Sequence, residues 1–238
     1  NHPKYLKVAA GAKHFAVHSG PEAIRHSFNV KVSPQDLNET YLPAFKELIE
    51  ANVEIVMCAY NRLNDKPCCG SKSLLNDLLR EDWGFKGHVV SDCGALNDIK
   101  SNHNFTISDE ESVAYAIKGG VDLNCGSLYN LIPKAIEKGY ITEEDLDKSL
   151  KRLLMTRLKL GILTKVNDNP YESLNENHIN NKNHIKLARD VAAKSIVLLK
   201  NKNHTRTLSK NINRLFITGP NAANVNTLLA NYNGLSPN

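Results

Sequence analysis

The chain alternates short apolar runs with longer amphipathic segments over its first 160 residues. The apolar runs are rich in β-branched residues, are too short for buried helices and give way to polar residues or glycine. They lie at 8–12, 53–59, 88–91 and 120–123. Each is followed by a segment with helical spacing of its apolar positions. Repeated strand–helix units of this kind predict a parallel sheet covered by helices.

Three of the predicted helices begin at side chains that suit a helix N-terminus. Ser33 precedes a proline and starts a helix that runs toward Ala51. Ser108 and Thr142 are each followed by acidic residues in the pattern of a capping box. The helices predicted behind these caps lie at 33–51, 108–118 and 142–160.

The alternation stops at residues 164–183, which are rich in Asn and Asp and lack periodicity. We interpret them as a linker between a first domain, 1–163, and a second domain that begins at 184 and is truncated at 238. A helix at 185–198 and a strand at 214–218 would open this second α/β domain. The four strand–helix units of the first domain fit half of an eight-unit barrel or one small doubly wound domain.

Composition excludes several classes of protein. The chain is 41% hydrophobic and 23% charged, as in soluble globular proteins, and has no apolar run long enough to span a membrane. The formal charge of +5 is spread along the chain, and the basic stretch 148–159 has the spacing of a solvated helix face rather than of a nucleic-acid surface. The chain starts without Met or a signal peptide, so we expect a piece of a longer protein.

Polar side chains gather at the predicted strand ends. Lys13 and His14 follow the first run, Tyr60 the second, Asp92 the third, and Asp122 lies in the fourth. Because the carboxyl ends of parallel strands meet at one face, a cation, an imidazole, a phenol and a carboxylate are expected together there. Spacing alone does not assign roles: Asp92 equally fits an N-cap or an ion-pair partner, and His14 a core histidine.

The amino-acid sequence around these strand ends resembles that of glycoside hydrolase family 3. The resembling runs cover essentially the whole chain in the family's order and lie at 12–15, 56–61, 82–87, 89–94, 116–123, 195–201 and 217–222. The resemblance implies a TIM-type (β/α) barrel followed by an α/β sandwich domain. The chain would then hold the C-terminal half of that barrel and the beginning of the sandwich. It also implies removal of β-linked sugars from non-reducing ends with retention of configuration.

The resemblance implies roles for particular residues. Asp92 corresponds to the catalytic nucleophile, Lys13 and His14 bind hydroxyls of the first sugar, Tyr60 hydrogen-bonds near the nucleophile, and Met57 lies against the sugar. This assignment is physically sensible because a nearby cation and hydroxyl donors favour an ionised carboxylate.

The loop after the first strand offers further candidates, Arg25 and His26, and more weakly Glu22. A retaining glycosidase also needs an acid/base carboxyl about 5–5.5 Å from its nucleophile. In the resembled family this group usually comes from the second domain, so we expect it outside this chain and expect the chain alone to be inactive.

The resemblance implies an oligosaccharide or glycoside as partner and no metal or organic cofactor. Nucleic acid and membrane are not expected, and the oligomeric state is not readable.

The cysteines bear on substrate choice. The resemblance to the family's xylosidase branch implies a Cys93–Cys125 disulfide, which would crowd the space that the C6 group of a hexose needs. It also implies a second disulfide, Cys58–Cys69, so that Cys68 would remain unpaired. The alternative is that all five are reduced thiols. The preferred interpretation is a β-xylosidase acting on xylan-derived oligosaccharides in the periplasm or outside the cell.

Other functions stay open at this point. One is a β-glucosidase of the same family. Another is its β-N-acetylglucosaminidase branch, which takes its acid/base from a loop histidine, here His18. A third is a catalytically incompetent sugar-binding remnant. A nucleotide site at Gly219-Pro220 lacks the required glycine spacing.

Overall fold

The computed structural model describes residues 2–163, 169–204 and 211–228. The chain divides into two compact units, 1–174 and 175–238. This boundary lies inside the predicted linker, whose residues 164–168 are outside the described part, and the domain assignment stays a prediction. No described helix has the length and apolarity needed to cross a membrane.

The first unit is built on a parallel sheet, which confirms the α/β class. In the described residues the strands are β1 (Gly11–Phe15), β2 (Asn29–Val30), β3 (Ile55–Cys58), β4 (Arg62–Leu63), β5 (Lys66–Pro67) and β6 (His88–Ser91). The main sheet has the order β1-β3-β6 with parallel pairing throughout. A small sheet of β2, β4 and β5 lies in the loops that follow β1 and β3.

Helices separate the strands and cover the sheet. In the described residues, the α-helices of the first unit are α1 (Pro34–Asp36), α2 (Pro43–Glu50), α3 (Ala95–Ser101), α4 (Asp109–Gly119), α5 (Ile132–Glu137) and α6 (Glu143–Lys159). The helix α7 (Lys182–Ser195) belongs to the second unit. Residues Leu37–Tyr41 and Ser73–Asp82 form π-helices. The predicted 33–51 helix is therefore interrupted, and α2 restarts with Pro43 in its first turn, where a proline fits best.

The predicted N-caps are present. Ser33 and Ser108 accept hydrogen bonds from the backbone N–H groups of Asp36 and Glu111, and Thr142 forms a full capping box with Asp145. These contacts are local in sequence, which is why the pattern could predict them.

Two strand predictions are wrong. The first strand is Gly11–Phe15 rather than 8–12, because Val8 is 71% exposed and the buried side chains are those of Ala12 and Phe15. The run 120–123 forms only a single bridge, between Leu123 and Val90. Gly120 is the left-handed C-cap of α4 at φ 108°, so the chain is still leaving the helix there.

The second unit contains α7, which begins at an Asn181 cap and ends at Ser195 instead of 198. The predicted strand 214–218 is irregular, and this prediction is wrong. Phe216 within it is 91% exposed. A strand needs a neighbour to take its backbone hydrogen bonds, and no described residue of 211–228 pairs with it.

The core of the first unit lies between the main sheet and the helices. Val56 in β3 and Val89 in β6 are fully buried, as are Leu75 and Leu96 on the flanking helices. At the amino end of the sheet, Glu54 accepts hydrogen bonds from Thr156 and Lys159 of α6, at 2.9 Å for each closest contact. This leaves the carboxyl end of the sheet for the predicted site.

Candidate active site

Asp92 directly follows β6 at the carboxyl end of the sheet. Its backbone N–H donates to the carbonyl of Cys58 at 3.2 Å, which fixes it beside the end of β3. Its carboxylate is 14% exposed: Oδ1 accepts from the Cys93 N–H at 2.8 Å, and Oδ2 lies 3.3 Å from His14 Nε2. The carboxylate is therefore held by two donors and still reaches solvent.

His14 lies in β1, next to a cis peptide bond from Lys13. Burial lowers the pKa of His14 below its usual 6.5, and the neighbouring Lys13 and His18 act in the same direction, while the Asp92 charge opposes them. The ring is thus neutral at neutral pH. A neutral ring can donate to Asp92 only with its proton on Nε2.

Tyr60 stands two residues beyond β3, and its hydroxyl donates to the Cys93 carbonyl at 2.8 Å. Burial raises the pKa of Tyr60 to about 12, helped by the charge of Asp92 and a hydrogen bond to it, with Arg25 opposing. A phenol has one proton, so it serves one of these two acceptors at a time. In either arrangement Tyr60 stays protonated and remains a donor beside the carboxylate.

Two disulfides lie around these groups. Cys93 is joined to Cys125, with Cα atoms 4.4 Å apart, and Cys58 to Cys69, with Cα atoms 5.2 Å apart. The first links the residue after Asp92 to the segment that follows Leu123. Cys68 is a buried free thiol, and burial raises its pKa to about 12, so it stays protonated.

The loop after β1 covers the Tyr60 ring. Arg25 pairs with Glu22 at 2.9 Å, and its guanidinium carbon lies 5.7 Å from the Tyr60 ring centroid. The His26 ring is 4.4 Å from the same centroid. His18 packs against His14 at 5.1 Å, and its Nδ1 is 3.3 Å from the side-chain oxygen of Asn61.

The remaining predicted residues differ in their placement. Met57 is partly exposed in β3 and aligned with Val90 of β6, and Lys13 is exposed in the middle of β1. Asp122 does not join the site. Its side chain is fully buried and pairs with Arg80 and Arg152 in the interior.

Two residues that the sequence did not single out support Tyr60. The Nε2 of His103 lies 2.8 Å from the Tyr60 carbonyl oxygen. Asp98 of α3 lies 2.8 Å from His26 Nδ1. Asp98 lies on α3 and His103 just beyond its end, and nothing in the sequence pattern distinguishes them from other polar residues of this segment.

The assembled groups suit attack by a carboxylate on an electrophilic carbon. Asp92 is the partly exposed carboxylate, neutral His14 and Tyr60 are donors beside it, and Arg25 supplies a positive charge nearby. Among the described residues, no group of three His, Cys, Asp or Glu side chains is arranged to hold a metal ion.

Comparisons of sequence identify relatives of the chain. The family described as "Glycosyl hydrolase family 3 N terminal domain" matches residues 2–156. A xylan 1,4-β-xylosidase of Xylanibacter ruminicola is 44% identical over 99% of this chain and 28% of its own length. A probable β-D-xylosidase of Arabidopsis thaliana is 38% identical over 97% of this chain and 31% of its own length. The chain thus spans less than a third of these relatives.

Comparisons of structure point the same way. A family 3 exo-β-xylosidase, solved with a xylobiose aziridine activity-based probe, aligns over 88% of this chain and 28% of its own, with a TM-score of 0.79 and 30% identity. A β-glucosidase from Listeria innocua aligns over 85% of this chain and 28% of its own, with a TM-score of 0.72 and 31% identity. With a family match over well more than half of its residues, the chain belongs to glycosyl hydrolase family 3.

Proposed function

We propose that this chain supplies the nucleophile-bearing part of a retaining exo-β-xylosidase that releases xylose from the non-reducing ends of xylo-oligosaccharides. The observation that carries the proposal is the Asp92 carboxylate, held by His14 and the Cys93 N–H and accompanied by Tyr60. The xylosidase names of the relatives described above support xylose as the sugar.

In the first chemical step, one oxygen of Asp92 attacks the anomeric carbon and forms a glycosyl ester. The bond to the leaving oxygen breaks, and an acid group protonates that oxygen. As Asp92 loses its negative charge, the His14 and Cys93 donors become less favourable partners for it. These donors would therefore favour the second step, in which the ester bond breaks and the Asp92 carboxylate becomes charged again.

In the second step, water attacks the anomeric carbon from the face that the leaving group occupied, and the conjugate base of the acid takes its proton. The ester bond breaks and Asp92 regains its charge. Two inversions give net retention. Neutral Tyr60 donates a hydrogen bond beside the reacting carboxylate throughout, because its raised pKa keeps the phenol protonated.

The architecture around the site is also proposed. The parallel order β1-β3-β6, with the polar groups at the carboxyl ends, is consistent with half of a TIM-type barrel. The rest of the barrel and the acid/base carboxyl would come from outside this chain. The isolated chain should then hydrolyse no aryl xyloside, and normal turnover by it would contradict the proposal.

Specificity for a pentose is assigned to the Cys93–Cys125 disulfide. Cys93 adjoins the nucleophile, and its two backbone groups contact the Asp92 carboxylate and the Tyr60 hydroxyl. A disulfide fixed here would occupy space that the C6 group of a hexose needs.

The proposed nucleophile can be tested by covalent trapping. The full-length protein that contains this sequence would be incubated with a 2-deoxy-2-fluoro-xyloside carrying a good leaving group, and its peptides analysed by mass spectrometry. We expect the label on Asp92 and no label in Asp92→Asn. A label on another carboxylate would refute the role of Asp92, and no labelling together with no hydrolysis would favour a sugar-binding remnant.

The similarity to the Listeria innocua β-glucosidase favours a second candidate, a β-glucosidase. The ratio of kcat/KM for 4-nitrophenyl xyloside and glucoside separates the two. A ratio well above one supports the xylosidase, and a ratio below one supports the glucosidase.

We also propose a periplasmic or extracellular location, because two disulfides suit an oxidising compartment. Alkylation of denatured, unreduced protein followed by peptide mapping should find Cys68 as the one alkylated residue among the five cysteines of this sequence. Alkylation of all five would contradict both the location and the argument for pentose selectivity.

A further inference from the structure

A continuous chain of polar contacts runs from the interior of the first unit to the loop above Tyr60. It begins at Asp98 on α3, whose side chain is only 7% exposed. Asp98 Oδ2 lies 2.8 Å from His26 Nδ1, and His26 Nε2 accepts from the Nε–H of Arg25 at 3.2 Å. A buried carboxylate is thereby connected, through one imidazole, to an exposed guanidinium.

The Arg25 guanidinium determines which His26 nitrogen accepts a hydrogen bond and which donates one. A guanidinium only donates hydrogen bonds, so His26 Nε2 must carry a lone pair. The proton of the neutral ring is then on Nδ1 and points at Asp98. Both nitrogens of His26 are thus engaged by protein groups, and the ring itself contacts Tyr60 at a centroid distance of 4.4 Å with an interplanar angle of 60°.

Tyr60 receives contacts from α3 by two routes. His103, just beyond the end of α3, holds the Tyr60 backbone carbonyl at 2.8 Å. Asp98 reaches the Tyr60 ring through His26. Since α3 begins three residues after Asp92, the same short segment of chain carries the nucleophile and the supports of its phenol neighbour.

We propose that Asp98 is a positioning residue that acts through His26 to hold the Arg25 guanidinium over the Tyr60 ring, where Arg25 contacts the bound sugar. This inference rests on the proposed function, and it gives His26 the task of orienting Arg25 rather than of binding sugar itself. Asp98 touches no substrate.

A purely local role for Asp98 makes a different prediction. Its second oxygen accepts from the Asn102 side chain one turn along the helix, so it could serve only to stabilise the end of α3. A local role would change stability without depending on Arg25. Coupling between Asp98 and Arg25 therefore decides between the two roles.

The kinetic test is a double-mutant cycle in the full-length protein, with Asp98→Asn, Arg25→Ala and the combination assayed on 4-nitrophenyl xyloside. An amide cannot accept from both His26 and Asn102 as the carboxylate does. We expect Asp98→Asn to raise KM about tenfold with little change in kcat, and to have less than a twofold effect when Arg25 is already Ala. Equal effects in both backgrounds, or an unaffected KM, would overturn the inference.

The matched control is Asp109→Asn. Asp109 is an exposed acidic residue whose 3.2 Å ion pair with Lys100 also reaches α3. It should leave KM unchanged in either background.

A crystal structure of Asp98→Asn tests the contact chain without any assay. We expect the His26 ring to turn and the Arg25 guanidinium to leave the Tyr60 ring, and unchanged positions would overturn the inference. If the parent protein hydrolyses neither xyloside nor glucoside, the proposed function fails, and this structure still decides whether Asp98 positions Arg25.

Discussion

His14 Nε2 lies 3.3 Å from Asp92 Oδ2, although His14 is in β1 and Asp92 follows β6, 78 positions later in the chain. The relationship joins the end of β1 to the end of β6 across the intervening β3. It places a neutral donor on the carboxylate oxygen that the Cys93 backbone does not serve.

Loss of the His14 donor should weaken catalysis more than it weakens the fold. We expect His14→Ala to lower kcat/KM for an aryl xyloside by about 10- to 100-fold, the equivalent of one hydrogen bond to a charged group. His14→Gln keeps an N–H donor and should recover part of the loss. His184→Gln, an exposed histidine of α7, is the matched control. Equal activity in His14→Ala and the control would remove His14 from the site.

Removal of the Cys93–Cys125 disulfide should relax sugar selectivity. In Cys93→Ala/Cys125→Ala we expect the xyloside-to-glucoside ratio of kcat/KM to fall about tenfold, within the range that a small change of pocket volume gives. The control is Cys58→Ala/Cys69→Ala, which removes a disulfide of the same unit. It should lower the melting temperature and leave the ratio unchanged. A ratio that stays constant in both variants would show that sugar selectivity does not depend on either disulfide.

The features that could be predicted from the sequence depend on neighbours in the chain. The caps at Ser33, Ser108 and Thr142 are contacts between residues three positions apart, so the local sequence is enough to predict them. Asp92 was identified by its resemblance to a family motif, because an Asp after a strand has no distinctive spacing of its own.

The features that could not be predicted are contacts between distant residues. His26 and Asp98 are 72 positions apart, and Tyr60 and His103 are 43 apart. The sequence predicts Asp122 as a strand-end carboxylate of the site. Its contact with Arg80 in the structure shows instead that it is a buried ion-pair partner. In the same way, a strand at 214–218 depends on a neighbouring strand to take its backbone hydrogen bonds, and the described residues provide none.

Asp122 should matter for stability and not for substrate binding. Its buried side chain accepts from Arg80, from Arg152 at 3.0 Å and from the Val89 N–H at 2.8 Å. Burial lowers the pKa of Arg80, and the Asp122 charge opposes that shift. Asp122→Ala should therefore cost about 3 kcal/mol of unfolding free energy, the lower end for a broken buried pair, because Arg152 can turn toward solvent.

Urea denaturation of the variant and the parent measures this loss. The control is Glu144→Gln, which breaks the exposed Glu144–Lys148 pair of α6. An exposed pair of this spacing contributes little to stability because solvent screens it, so the control should be nearly neutral. A loss for Asp122→Ala no larger than that of the control would show that the buried pair adds no net stability.

His103 should make the fold sensitive to acid. Its Nε2 must donate to the Tyr60 carbonyl, and its Nδ1 is buried without a partner among the described residues, so a second proton would have no acceptor. Burial is the main cause that lowers the pKa of His103 below its ordinary 6.5. Below that pH the unfolded chain binds a proton that the folded chain does not. Stability is therefore full above pH 6.5 and falls as the pH drops.

The test compares parent and His103→Gln at pH 7.5 and 5.5. The parent should lose stability over this interval, and protonation of His103 in the unfolded chain should account for part of that loss. The variant keeps an N–H donor but has no titrating group, so it should lose less. It will still lose some, because burial also lowers the pKa values of His14 and His88. Equal losses in parent and variant would mean that His103 accepts its second proton freely in the folded state.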